Sequence, residues 1–205
     1  MNRAIQLGLK RVLDIVLSTA ALLLLAPLLL LIGLTVLLDS PGPALFRLRV
    51  AGRNARPFDL LKFRTMIKEA QQKGDPFETA ADDPRITHVG RFLRRWSLDE
   101  LPQLWNVLRG EMSLVGPRPT FVEVARRYSP HEARRLQMRP GLTGWAQVNG
   151  RNLLSWPQRV EFDLDYIEHC SLWLDVKILA RTLPALVRKE GVYGEGGKVR
   201  MHHPA

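Results

Sequence analysis

The sequence predicts a mainly α protein with a few short strands. A re-entrant N-terminal membrane hairpin helix precedes a compact cytosolic α/β domain with interfacial amphipathic helices. Three observations lead there. An uncharged apolar run near the N-terminus carries a proline, two short segments of apolar–polar alternation follow, and from about Val89 apolar residues recur at helical spacing. The expected organisation is a hairpin over 1–40, a single domain over 41–191 and a flexible, Gly-rich tail over 192–205. The formal charge of +10 and a pI near 10.5 imply an anionic partner: nucleic acid, anionic lipid or a phosphorylated substrate. One cysteine, Cys170, excludes an intrachain disulfide and fits a reducing compartment.

The apolar run comes first. From Ile15 to Leu38 there are 24 residues without a charge, and a straight helix of that length reaches about 36 Å, enough for a hydrocarbon core of about 30 Å. A core helix of a soluble domain is a poor alternative at this length. So is a cleaved signal peptide, because no small-x-small site closes the run. Pro27, within "AALLLLAPLLLLIGL", kinks or breaks a helix, leaving two halves of about a dozen residues, each too short to span. Arg3, Lys10 and Arg11 stand before the run, and Arg47, Arg49, Arg53 and Arg56 after it. The positive-inside bias therefore points nowhere, as two cytoplasmic ends would make it. A helix–break–helix hairpin dipping into one leaflet fits best, with a kinked full span as the alternative. Ser18 or Thr19 is expected to satisfy backbone groups freed by the break. Asp14, at the entry, is read as a snorkelling residue or as a partner of Lys10 or Arg11.

Pro41-Gly42-Pro43 turns the chain. "ALFRLRV" and "PFDLLKFRTM" then predict a short hairpin or extended segments around Gly52-Arg53-Asn54. Residues 68–84 read as a helix end and a polar, acidic loop. Two later helices are predicted, in "SWPQRVEFDLDYIEHC" and "LWLDVKILARTLPALVRKEG". The second places Leu174, Ile178, Leu179, Leu183 and Leu186 on one stripe, suited equally to a headgroup layer or to a core. His202-His203 lacks a third ligand and reads as tail. There is no P-loop and no G-x-G-x-x-G.

The passage that carries chemistry is "RFLRRWSLDELPQLWNVLRGEMSLVGPRP". Leu101, Leu104, Trp105 and Leu108 predict a helix with one buried face, and Ser97 to Glu100 fits an S-x-x-E capping box. Pro102 shifts the cap toward Asp99, which either way falls in a first turn that favours anions. Capping alone would explain an isolated Asp99. Here two adjacent carboxylates, Asp99 and Glu100, sit among Arg94, Arg95, Arg118, Lys62 and Arg64. Carboxylates bind Mg²⁺ while guanidinium groups hold phosphate oxygens, and an Asp can attack phosphorus through an acyl-phosphate. Residues alone reach metal-assisted phosphoryl chemistry at a membrane surface.

These motifs bear a resemblance. "KRVLDIVLS" leading into the proline-interrupted run, "KFRTM", "SLDELPQLWNVLRGEMSLVGPRP" and "RPGLTGWAQVNGRN" resemble the bacterial sugar transferases, monotopic phosphoglycosyl transferases, over about Lys10 to Gly191. The chain looks like their minimal catalytic form. The resemblance implies transfer of a sugar-1-phosphate from a UDP-sugar to undecaprenyl phosphate, a polyprenyl acceptor. It implies a covalent aspartyl phospho-sugar, release of UMP, and a start to membrane-linked glycan assembly such as exopolysaccharide biosynthesis. It makes Asp99 the nucleophile and Glu100 its partner, both toward Mg²⁺, with Arg94, Arg118 and Lys62 handling phosphate. It places the protein at the inner membrane of a bacterium, with the catalytic domain on the cytoplasmic face and a homodimer left open. One departure stands out: where many members have Ser-Pro at the break, this chain has Ala26-Pro27, and alanine cannot bond a freed carbonyl.

Other residues keep two readings. Gln147, Asn149 and Arg151, in a Gly-rich loop, are candidates to hold sugar or nucleotide. Trp145 and Trp156 are placed to stack on a base, sit at the interface or pack. Glu161, Asp163 and Asp165 read more as a solvated acidic patch than as a ligand contact. The rival functions are a membrane-tethered basic binding protein, a noncatalytic scaffold of glycan assembly and a lipid-phosphate hydrolase. No nucleic-acid partner is expected, since no aromatic-interleaved basic patch is visible.

Overall fold

The computed structural model describes residues 3–70, 78–80, 82–188, 191 and 198–200. Helix α1 (Arg3–Asp39) absorbs the apolar run as one 37-residue helix with Pro27 inside it. Its buried residues lie toward its two ends: Lys10, Asp14 and Ser18, then Ile32 and Val36. Between them Leu23, Leu24, Leu30 and Leu31 are exposed.

Both ends fasten to the same folded body. Lys10 Nζ lies 2.7 Å from Asp175, and Arg11 donates to the Val107 and Leu108 carbonyls at 2.6 and 2.8 Å. Asp14 is neither a snorkelling residue nor a partner of Lys10 or Arg11. It is buried and accepts from the Ser113 hydroxyl at 3.1 Å and the Leu114 N–H at 2.9 Å, because that backbone passes under the helix and needs an acceptor. Ser18 donates back to the Asp14 carbonyl at 2.6 Å, so it is not spent on the carbonyl that Pro27 leaves free. At the other end Arg64 donates to the carbonyls of Val36, Ser40 and Pro41, a cation closing the helix C-terminus.

The expected hairpin is present. β1 (Leu45–Ala51) and β2 (Pro57–Phe63) pair antiparallel from Leu45↔Phe63 to Ala51↔Pro57, and Asn54 takes a left-handed φ of 55° in the connection. Then β3 (Glu78–Ala80) pairs antiparallel with β7 (Lys198–Arg200). Both segments were expected to be loose; His202 and His203 lie outside the described residues. Helix α2 (His88–Trp96) is capped by Thr87, whose hydroxyl accepts from the Gly90 N–H at 3.0 Å. Gly90 lets α2 touch the chain just beyond β2: a Cβ there would lie 2.2 Å from the Thr65 carbonyl oxygen.

The next turn departs from expectation. Ser97 is left-handed (φ 55°) and closes α2, and its side chain caps nothing. A 3₁₀ turn over Leu98–Glu100 follows, and α3 (Gln103–Arg109) starts only after Pro102. Asp99 therefore lies in the 3₁₀ turn, ahead of α3. The buried face of α3 is Gln103, Leu104, Asn106 and Val107, whereas Trp105 is 49 % exposed. The buried Asn106 sets this rotation, since its amide accepts from Leu61 N–H and donates to the Asp59 carbonyl at 3.0 and 2.8 Å, docking α3 on β2.

β4 (Ser113–Val115) pairs in parallel with β6 (Gly141–Thr143), and β5 (Thr120–Phe121) joins the hairpin beside β1. Short helices α4 (Val122–Ala125), α5 (Pro130–Ala133) and α6 (Trp145–Val148) lead to α7 (Trp156–Glu168) and α8 (Leu172–Arg188). The main core gathers Val115, Met138, Val160, Leu164, Tyr166, Ile167 and Ile178, with Leu174 and Leu179 packed against it. The α8 stripe then leaves the core, for Leu183 and Val187 are exposed, as is Trp173. The molecule is mainly α with a few short strands.

Candidate active site

One cavity of about 470 Å³ opens between the end of β2, the turn after α2 and the N-terminal part of α7. It is lined by Lys62, Arg94, Asp99, Glu100, Arg118, Gln147 and Arg151, together with Arg159 and Asp163. Asn149 and Pro27 lie elsewhere, as do Arg95, Trp145, Trp156, Glu161 and Asp165. Asn149 donates to the Trp145 carbonyl at 2.8 Å and so holds a turn.

Glu100 is the fixed half of the dyad. Its Oε1 receives both Lys62 Nζ and Arg118 Nη2 at 2.9 Å. Burial works upward on its carboxyl, but Arg118 and then Lys62 overcome this and hold it well below the usual range. Asp99 is the opposite case. It is buried, yet its carboxylate is left without a hydrogen bond among the described residues. Burial pushes it up, opposed by Lys62 and reinforced by the neighbouring Glu100. One carboxylate is held as an anion by two cations, while the other has no such partner among the described residues. Arg94 is positioned by Thr65, whose hydroxyl accepts from its Nε at 2.8 Å, and Gly90 permits that approach. Arg64, by contrast, is occupied at the end of α1.

The far wall was the less readable part. Asp163 is not a solvated residue: it is 1 % exposed and pairs through Oδ2 with Arg135 at 2.6 Å. Glu161 and Asp165 do face solvent, paired with His131 and His169. Burial, then Arg118 and Arg135, bring the Arg159 guanidinium down to about 10, because three guanidinium groups crowd around the one Asp163 carboxylate. Arg135 and Arg159 escaped the sequence reading, although Arg159 sits two residues after Pro157 at the start of an expected helix. Trp145 and Trp156 pack. The Trp145 ring lies under Lys177 and Arg181 at 5.5 and 5.4 Å, and Trp156 lies against Arg135 at 4.8 Å.

Among the described residues no three His, Cys, Asp or Glu side chains converge as a metal cluster. Asp99 and Glu100 side by side are a donor set that fits Mg²⁺, which takes one or two carboxylates, substrate phosphates and water.

Comparison with known proteins decides the family. The model of the family described as "Bacterial sugar transferase" matches residues 5–189. The chain belongs to that family. This sugar transferase is 49 % identical over 193 residues to the UDP-glucose:undecaprenyl-phosphate glucose-1-phosphate transferase of Caulobacter vibrioides, covering 90 % of the chain and 72 % of the relative. It is 42 % identical to the uncharacterized sugar transferase EpsL of Bacillus subtilis, with 90 % of each covered. It is 41 % identical to the undecaprenyl-phosphate galactose phosphotransferase of Salmonella typhimurium, where 90 % of the chain spans 42 % of the relative. Against that and several other relatives it thus spans less than half their length.

Proposed function

We propose that this sugar transferase moves a sugar-1-phosphate from a UDP-sugar to undecaprenyl phosphate, with Asp99 as nucleophile. The observation that carries this is the buried Asp99 carboxylate, with no hydrogen bond among the described residues, beside a Glu100 already neutralised by Lys62 and Arg118. An Asp99 oxygen attacks the β-phosphorus. The bond from that phosphorus to the bridging oxygen breaks, and UMP leaves with the electron pair. An oxygen of the lipid phosphate then attacks the same phosphorus, and the Asp99–phosphorus bond breaks to restore the carboxylate. Arg118, Arg94 and Lys62 hold the equatorial oxygens where charge builds. Mg²⁺, held by Asp99 and Glu100 with the diphosphate, would neutralise charge on the donor.

The site works at a membrane in this reading. The helix α1 is long and apolar enough to cross a bilayer. Yet both its ends bind one body, through Lys10–Asp175 and through Arg64 on Val36 and Ser40, which supports re-entry over crossing. The body then sits on the cytoplasmic face of the inner membrane, where a soluble donor and a lipid phosphate meet.

The test supplies a panel of UDP-sugars, Mg²⁺ and undecaprenyl phosphate, and follows UMP together with the intact mass of the quenched protein. UMP release with a mass gain of one phospho-sugar, absent in Asp99→Asn, is expected. Turnover that survives Asp99→Asn would eliminate the covalent route.

A further inference from the structure

We propose that Gln147 and Asp163 form the part of the cavity that reads hydroxyl groups of the transferred sugar, and so help to select which sugar is accepted. This deepens the reading of the site as a UDP-sugar site and rests on it.

Both residues line the cavity that holds Asp99 and Glu100. The amide oxygen and the amide nitrogen of Gln147 are both buried without a hydrogen-bond partner, and so is Asp163 Oδ1. An unpaired buried polar group is costly, and native proteins rarely leave one without a reason. Three such atoms in one cavity are what a polar ligand would satisfy. Neither side chain is idle by looseness. Asp163 is fixed through its other oxygen by Arg135, at 2.8 Å to Nε and 2.6 Å to Nη2. The Gln147 carboxamide fits over Gly144, where a Cβ would come within 2.7 Å of its Oε1.

The inventory of groups points to carbohydrate. Between them these two lining residues carry two unpaired acceptors, Gln147 Oε1 and Asp163 Oδ1, and the two N–H donors of the Gln147 amide. Hydroxyls both donate and accept, so a neighbouring pair of them satisfies all three atoms. A uracil edge offers one N–H between two carbonyls. It could engage Gln147, but would leave Asp163 Oδ1 facing acceptors. The phosphates have a different wall, made by Arg118, Arg94 and Lys62.

The test measures binding of UDP, and of the UDP-sugar the protein holds tightest in a panel, to the full chain in lipid nanodiscs. Asp99→Asn is used throughout so that no turnover occurs. Gln147→Met, which keeps volume and removes both polar atoms, should bind UDP within about twofold of its parent and the UDP-sugar at least about tenfold more weakly. Asp163→Asn should show the same bias. Deoxy analogues of that sugar provide an arm that needs no cavity substitution. One or two hydroxyl deletions should weaken binding by about tenfold, and that penalty should vanish in Gln147→Met. Equal losses for UDP and UDP-sugar would overturn the proposal in favour of base or phosphate recognition. So would a parent indifferent to every hydroxyl deletion. A parent that binds neither UDP nor any UDP-sugar would instead remove the donor reading itself.

Discussion

Lys10 and Asp175 form a buried ion pair at 2.7 Å across 165 residues of sequence, joining the membrane helix to α8. The second Asp175 oxygen accepts from the Tyr166 hydroxyl at 2.6 Å, so the pair is fixed from both sides. Removing one partner of such a pair leaves a buried charge, a loss of about 3–5 kcal/mol. Lys10→Met or Asp175→Leu alone should therefore lower the thermal midpoint strongly. The two together should recover much of the loss, since an apolar pair needs no counter-charge. Unfolding of the three variants in one detergent decides it.

Asp99 should weaken the fold that it serves. Burial raises its carboxyl in the folded protein, so folding favours the protonated form, and holding the anion above that range costs stability. Asp99→Asn is expected to raise the thermal midpoint at pH 7 while lowering turnover by at least about 10³-fold. As pH falls through the raised value the wild type becomes neutral too, and the stability gap should close. On the same limb activity should drop, at a higher pH than for an ordinary aspartate.

Glu100 has the opposite sign. Its folded carboxyl is depressed by Arg118 and Lys62, so its contribution is full above the unfolded value of 4.5 and fades as pH falls below it. Glu100→Gln should destabilise the protein at pH 7, and the deficit should shrink progressively under acid. Thermal scans from pH 7 downward check this.

Arg64 should hold the exit of the membrane helix. It is buried and donates to three carbonyls around Val36 to Pro41. Arg64→Leu leaves those acceptors unmatched, at about 1–3 kcal/mol. Amide exchange should rise over residues 36–41 before it rises over the hairpin.

Topology gives a further measurement. In a Cys170→Ser background, Ile5→Cys and Leu45→Cys, both exposed positions, should react with a membrane-impermeant thiol reagent from the same side of sealed inverted vesicles. Reaction from opposite sides would replace re-entry with a full span.

The sequence disclosed what depends on neighbours along the chain. The apolar run announced α1, and apolar–polar alternation announced β1 and β2. An adjacent acid pair among arginines marked the cavity's business end. What it hid depends on residues far apart. Asp163 reads as surface until Arg135, 28 residues away, is brought against it. Asn106 is outside the predicted apolar face of Leu101, Leu104, Trp105 and Leu108, and it turns inward because β2 supplies an N–H and a carbonyl for its amide. Ser97 fits a capping pattern letter by letter, yet ending α2 demands a left-handed residue there, and that backbone need overrides the side chain's habit.

The double fastening of α1 has a mechanical corollary. A catalytic body hung from a single stalk would rove over a wide range of heights. Here the greasy segment is bolted down fore and aft, so rocking the one rocks the other. The height of Asp99 over the exposed middle of α1 is thereby a constant of the architecture.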